Sequence, residues 1–277
     1  MRKPLKHRIV LLLFVTSTPL ANPAQDLLEF REHFKNSFPT LPFDQFSNGV
    51  YAINEDARLA WEDIEEFPPY EEAIDAGKVL YESSFSNGKS YKDCFENDGI
   101  AIAHKYPYWD EEKEQVITLG LALNQCRRDN GEEGLSYKRG EIAYLLSYMA
   151  HTSRGKRIAI KSPDDHRKAL SAYNKGKQFY YQRRGQLNFS CATCHVQNGG
   201  LQIRSETISP SLGHATGWPV YRAKWGEVGT LHRRFIGCSK QMRAKIYDPQ
   251  GEEYRNLEYY LTYMSNSLPI NGPSYRK

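Results

Sequence analysis

The sequence predicts an all-α protein of two small domains related by internal duplication. Three observations carry that expectation. Between the punctuating Pro and Gly residues, apolar positions recur with helical rather than alternating spacing. Gly77-Lys78-Val79-Leu80-Tyr81 returns as Gly176-Lys177-Gln178-Phe179-Tyr180, and Cys126 ahead of Tyr144-Leu145-Leu146-Ser147-Tyr148-Met149 returns as Cys238 ahead of Tyr260-Leu261-Thr262-Tyr263-Met264. An order of signals kept in both halves points to a repeated architecture. Finally, the roughly 250 residues that follow the N-terminal segment suit one large or two small domains, and the repeat favours two.

In chain order, residues 1–24 carry Arg2, Lys3, Lys6 and Arg8, then an apolar run from Ile9 to Val15, then small and turn-forming residues through Ala21 and Ala24. That is the layout of a secretory signal, too short to span a bilayer as a helix. A buried N-terminal strand is the alternative, and both Ala21 and Ala24 stand as cleavage points. Helices are expected over Pro23 to Lys35, Ile53 to Glu65, Pro69 to Tyr81, Glu111 to Arg127, Lys138 to Ser153, Pro163 to Arg183, Leu231 to Tyr247 and Glu252 to Met264. Pro163 suits a first helical position, with Ser162 as its cap and Asp164 and Asp165 complementing the helix dipole. From Val196 to Gly229 the chain is rich in Gly, Ser and Pro, as a loop over a flat ligand would be. Trp218, Tyr221 and Trp225 within it would cover such a ligand or form an aromatic core of their own. A join near residues 153–163 gives domains of 25–158 and 159–277.

Charge narrows the partners. Of the 37 Lys and Arg residues four lie in the N-terminal segment, and the rest balance the 33 Asp and Glu. A mature chain near neutrality gives no warrant for nucleic acid or an anionic membrane as partner. No other segment is apolar enough to span a bilayer, so the expectation is an exported protein in the periplasm, where disulfides persist.

The chemistry lies in Cys191-Ala192-Thr193-Cys194-His195. C-x-x-C-H is the attachment motif of c-type haem: two thiols add to the porphyrin vinyl groups, and the adjoining imidazole reaches iron from the same turn. Half of a zinc site is the competing reading, but a closed zinc site needs about four Cys or His ligands, and Cys94, Cys126 and Cys238 form no second short pair. The expectation becomes two cytochrome c-like domains, the N-terminal one without haem because it lacks the motif. Cys94 and Cys126 then have no cofactor to hold, and two thiols at corresponding places in an oxidising compartment should form a disulfide. That bridge would close a loop of about 30 residues, stabilising by roughly 3 kcal/mol. Cys238 is left as the odd thiol, flanked by Arg233, Arg234, Lys240 and Arg243, and nearby cations favour a nucleophilic thiolate.

Gly-Lys-x-x-Tyr before Ser190-Cys-Ala-Thr-Cys-His195, a His/Trp/Pro loop, and Arg234-Phe-Ile-Gly-Cys238 running on to Gln241-Met242-Arg243-Ala244 resemble the SoxA family of sulfur-oxidation cytochromes. Cys94-Phe95, Tyr106-Pro107 and Asn124-x-Cys126-Arg127 extend the resemblance across nearly the whole mature chain. Many relatives are dihaem; the single C-x-x-C-H here resembles the monohaem type, with one covalent haem c on Cys191 and Cys194. The resemblance implies His195 as proximal iron ligand and Cys238 as distal ligand, present as a catalytic persulfide. Met242, four residues beyond Cys238, stays open as a distal alternative. Arg234 precedes Cys238 by four residues, one turn away on the same helix face, and its guanidinium suits a bidentate grip on an oxyanion. Arg233, Lys240 and Arg243 are alternatives for steering or for haem propionates. The implied reaction joins thiosulfate to a cysteine of the SoxYZ carrier, giving cysteine S-thiosulfonate and two electrons. The electrons would leave through the SoxX cytochrome of a heterodimer to a downstream c-type cytochrome. An electron-transfer cytochrome without sulfur chemistry is the alternative.

Overall fold

The computed structural model describes residues 22–277, so the proposed N-terminal signal lies almost wholly outside the described part. The first helix, α1 (Pro23–Ser37), starts on Pro23, and the Asn22 side chain caps it by accepting from the Gln25 amide at 3.0 Å. A 3-10 segment (Phe43–Ala52) leads to α2 (Glu55–Glu65), capped by Asn54. These elements wrap the outside, with Phe30 and Phe34 of α1 packed into the C-terminal core.

Two helix pairs form the frame. In the first, α3 (Glu71–Glu82) crosses α5 (Glu141–Thr152). In the second, α6 (Arg167–Tyr181) crosses α9 (Glu252–Met264). A glycine permits each close crossing, because a Cβ on Gly77 would overlap the Tyr144 carbonyl and one on Gly176 would overlap the Asn256 carbonyl. A core of Tyr81, Leu123, Ile142, Leu145 and Met149 fills the first half, and one of Tyr173, Tyr180, Tyr254, Leu257 and Tyr260 fills the second. Removing such side chains from water supplies the drive, roughly 1.5–3 kcal/mol for each fully buried large apolar residue.

Each half also contains a short hairpin feeding a helix. Tyr108–Asp110 (β1) pairs antiparallel with Gln115–Ile117 (β2), and Thr118 then caps α4 (Leu119–Asp129) by accepting from Leu121 N at 3.1 Å. In the second half Val220–Arg222 (β5) pairs with Glu227–Gly229 (β6), and Thr230 caps α8 (Leu231–Gln241) by accepting from Arg233 N at 3.3 Å. The C-terminal strand β7 (Ser274–Arg276) adds to β5 in parallel, and a small pair, β3 (Gln202–Ile203) with β4 (Glu206–Thr207), completes the sheets of the described residues.

The all-α expectation is therefore corrected: helices dominate, but seven short strands stand among the described residues. The helix expected from Glu111 begins only at Leu119, because β-branched Val116 and Ile117 extend the backbone and Glu114 turns the chain at φ 48°. The helix expected from Pro163 breaks after a 3-10 turn (Pro163–Asp165). Its second part is capped by the ring of His166, which accepts from Lys168 N, while the Ser162 hydroxyl donates to the Asp164 carboxylate instead. The helix expected to Tyr247 stops at Gln241, since Arg243 adopts a left-handed φ of 54°. The expected loop of residues 196–229 includes four of the short strands.

Candidate functional site

The C-x-x-C-H residues form one short helix, α7 (Cys191–His195), started by a reciprocal cap in which Ser190 and Thr193 each bond the other's backbone amide. One turn therefore displays both thiols and the imidazole. Burial pushes the Cys191 thiol up to about 12 and raises that of Cys194 as well, so both are held as protonated thiols in the polypeptide. The His195 ring is enclosed, and burial drives its pKa down to about 4, keeping it neutral. Its Nδ1 lies 2.9 Å from the Ser209 carbonyl and donates to it, which fixes the tautomer and leaves the Nε2 lone pair for a metal. The His214 ring stands edge-on to His195 at 4.4 Å, and its Nε2 is 2.9 Å from the Ser209 hydroxyl.

Helix α8 shares a core with this turn: Phe235 and Ile236 join Cys191 and Ala192 in one apolar cluster. A charge on Cys238 is felt at both Cys191 and Cys194, and the Arg234 charge is felt at His195 and His214. The fold thus brings Cys191, Cys194, His195, Arg234 and Cys238 into one neighbourhood. Met242 is buried where α8 ends, its carbonyl accepting from Leu187 N at 3.4 Å. Cys94 and Cys126 lie apart in the other half, joined as a disulfide with their Cα atoms 5.8 Å apart. Among the described residues no group of three or more His, Cys, Asp and Glu side chains is arranged to hold a bare metal ion.

The flanking cations do not share one role. Arg233 is engaged by Glu227 at 3.0 Å and stacks over Trp225 at 4.3 Å, and Arg243 reaches only Gln186 at 3.4 Å. Of the three aromatic residues expected to cover a flat ligand, Trp218 donates to the His214 carbonyl at 2.8 Å and lines a cavity between the halves. Tyr221 stacks on Tyr275, and Trp225 packs under Arg222 and Arg233. Sequence reasoning passed over Arg184, which lies over the Phe179 ring at 3.5 Å and whose Nε and one Nη are buried without a partner. Its charge reaches Cys191. Arg222, with a buried and unpartnered Nε of its own, was passed over too, as were Ser209 and His214.

These residues fit a covalently attached haem: two thiols one turn apart, an imidazole with Nε2 free, and a half-buried Arg184 with two nitrogens lacking an acceptor, as a porphyrin carboxylate would supply. A helical fold bearing such a turn defines the class, that of c-type cytochrome domains. A model of the SoxA/TsdA cytochrome c domain matches residues 76–158 and again 175–270, and the chain belongs to that family. It is 56% identical over 257 residues to the L-cysteine S-thiosulfotransferase subunit SoxA of Allochromatium vinosum, covering 93% of this chain and 91% of that one. It is 49% identical over 252 residues to the subunit of the same name from Chlorobaculum tepidum, covering 91% and 87%. A crystal structure of SoxXA from P. pantotrophus superposes with a TM-score of 0.73 at 27% identity, covering 82% of this chain and 86% of that chain.

Proposed function

We propose that this chain is the haem c subunit of an L-cysteine S-thiosulfotransferase, acting with a SoxX-type cytochrome to conjugate thiosulfate to a cysteine of a SoxYZ-type carrier. The observation that supports the reading best is the capped C-x-x-C-H turn with its His195 held by the Ser209 carbonyl, sharing one core with α8, where Arg234 and Cys238 stand one turn apart. A chain that only passed electrons would have no use for a guanidinium one turn from a thiol at that point. When bound, haem c supplies a one-electron acceptor beside the sulfur chemistry.

The chain's own residues then divide the work. Cys191 and Cys194 would hold the porphyrin as thioethers, and His195, oriented by the Ser209 carbonyl, would offer its Nε2 to the iron. Arg184 offers its unpartnered nitrogens to a propionate. Cys238 would offer its sulfur to the iron and, as thiol or persulfide, would be the covalent carrier of the substrate sulfur. It is preferred to Met242, which sits at the helix end against the turn at Leu187. Arg234 holds the sulfonate-like end of thiosulfate. Overall, a carrier thiol and thiosulfate give the S-thiosulfonate, one proton and two electrons, with a new S–S bond in place of the S–H bond.

The domain reading, 25–158 without haem and 159–277 with one, belongs to the same proposal. Its support is the correspondence of parts: the two glycine crossings, the two hairpins in equal register, and Thr118 and Thr230 capping helices of equal length. Eight residues beyond each cap lies Cys126 in one half and Cys238 in the other. The disulfide of the first half therefore engages, through Cys126, the position that Cys238 holds in the second. Export to the periplasm is proposed on the layout of residues 1–24, with the cut after Ala21, because that leaves Asn22 to cap α1.

The test uses the purified complex with its partner, carrier and thiosulfate, read as carrier mass and acceptor reduction. Cys238→Ala with haem retained should abolish carrier modification; unchanged turnover would reduce the protein to an electron carrier.

A further inference from the structure

We infer that Arg222 on β5 is a second anion-binding guanidinium of the Cys238 pocket, paired with Arg234 to hold an oxyanion group beside the reactive sulfur. This rests on the function proposed above and adds a positioning residue to the same site. The argument starts from the sheet. Strand β5 is held on both sides, by β6 through Tyr221↔Val228 and by β7 through Tyr221↔Tyr275, so the last residue of the strand has a fixed backbone. One Nη of Arg222 donates to the Lys277 carbonyl at 2.7 Å, and the guanidinium lies over Trp225 at 5.6 Å. Two sides of the fork are thereby pinned. Its Nε is buried and donates to nothing. A buried donor without an acceptor destabilises the unliganded state, so a group that accepts from it is bound the more tightly.

The backbone oxygen of Lys277 takes one Nη and leaves Nε unanswered, and among the described residues neither nearby side-chain acid meets it. Glu227, across the strand pair, is already taken by Arg233 at 3.0 Å and by Arg139 at 3.2 Å. Glu206 exerts only a minor pull on Arg222, weaker than that of Cys238. Burial and the like charge of Arg234 push the Arg222 pKa down to about 10, which still leaves it cationic at neutral pH. The geometry agrees: Arg222 and Arg233, the neighbour of Arg234, lie over the same Trp225 ring at 5.6 and 4.3 Å, so the Arg222 guanidinium stands at the first turn of α8, where an anion would relieve the like charges. Arg276, the register partner of Arg222 on β7, is instead engaged by the Tyr51 ring and the Tyr275 carbonyl.

The first half supplies an independent contrast. By hairpin register Asp110 stands where Arg222 stands, and by distance from the capping threonine Ala122 stands where Arg234 stands. Asp110 turns back to accept from the Lys113 amide at 2.8 Å. Both arginines thus belong only to the half that carries the C-x-x-C-H turn and an unbridged cysteine.

The oxyanion has two chemical sources, the sulfonate end of thiosulfate and a haem carboxylate, and one experiment separates them. The haem-loaded complex is prepared as wild type, Arg222→Gln and Arg222→Lys. For each, thiosulfate is titrated against the haem absorption spectrum, the KM for thiosulfate and kcat are measured with the carrier, and the haem reduction potential is determined. A substrate role predicts a rise in the spectroscopic dissociation constant and KM of about 10- to 100-fold in Arg222→Gln, as loss of a charge-assisted pair gives. The potential then stays unchanged, and Arg222→Lys lies between the two. A carboxylate role predicts unchanged thiosulfate binding with a shifted potential. If both quantities match wild type in Arg222→Gln, or if Arg222→Lys is as impaired as Arg222→Gln and the loss is of haem loading, the residue is a packing element and the inference fails. A wild-type complex without thiosulfate turnover would sink the proposed function instead, leaving spectroscopic binding to judge Arg222.

Discussion

At the scale of single residues, the site is a set of side chains whose states are imposed by burial. His195 is neutral because its ring is enclosed, and it is aimed because the Ser209 carbonyl accepts from Nδ1. Arg234 depends on fork geometry rather than charge alone, since a guanidinium can grip two oxygens where an ammonium grips one. Arg234→Lys is accordingly expected to raise the KM for thiosulfate about 10-fold or more while leaving haem content intact, read by steady-state kinetics beside a haem assay. The Cys and His positions of the haem turn were readable in the sequence because covalent attachment demands adjacent residues. Arg234 and Cys238 were readable because one helical turn relates them. Arg184, Ser209, His214 and Arg222 were not, since each arrives from a different segment by folding, and no local pattern of residue types announces that meeting.

At the scale of elements, the same division holds. Glu252–Met264 is helical over the span that periodicity indicates, because a long amphipathic pattern leaves little choice. Three-residue strands such as β1 and β2 are too short for alternation to register, so their acidic turn merged with the following helix in a periodicity reading. What a pattern of apolar residues also hides is how close two helices come. Gly176 has no room for a methyl group against the Asn256 carbonyl, and Gly77 none against that of Tyr144. Gly176→Ala must therefore part α6 from α9 at the backbone, with an expected loss of about 3 kcal/mol, the upper part of the range for overpacked cores. Urea unfolding of the haem-loaded protein measures it. Gly88→Ala, at a site with no atom within 4 Å, is the comparison for glycine replacement without crowding, since its φ of 83° contributes only local strain.

At the scale of the molecule, the first half carries a covalent tie of its own. The bridge between Cys94 and Cys126 closes 32 residues of chain. Its removal in Cys94→Ser/Cys126→Ser should lower stability by about 3 kcal/mol on chain-entropy grounds, or roughly 6–12 °C in a chain of this size. The haem spectrum at low temperature should be unchanged, because the loss falls in the other half. Acid should act on the whole fold. Burial lowers the pKa values of His104 and His151, helped by Lys105 and Arg154 respectively, so the unfolded chain takes up protons first. Their contribution is complete above the ordinary histidine pKa of about 6.5 and is lost as pH falls below it. Thermal midpoints should thus drop between pH 7 and pH 5, and His104→Gln should flatten the slope. Intact mass of the mature protein should exceed the polypeptide by one haem.

Strand β7 ends three residues of parallel pairing at Arg276, and the next carbonyl, that of Lys277, is what Arg222 grips. A change in the backbone at Lys277 would therefore be felt by the Arg222 side chain as well as by the edge of the sheet.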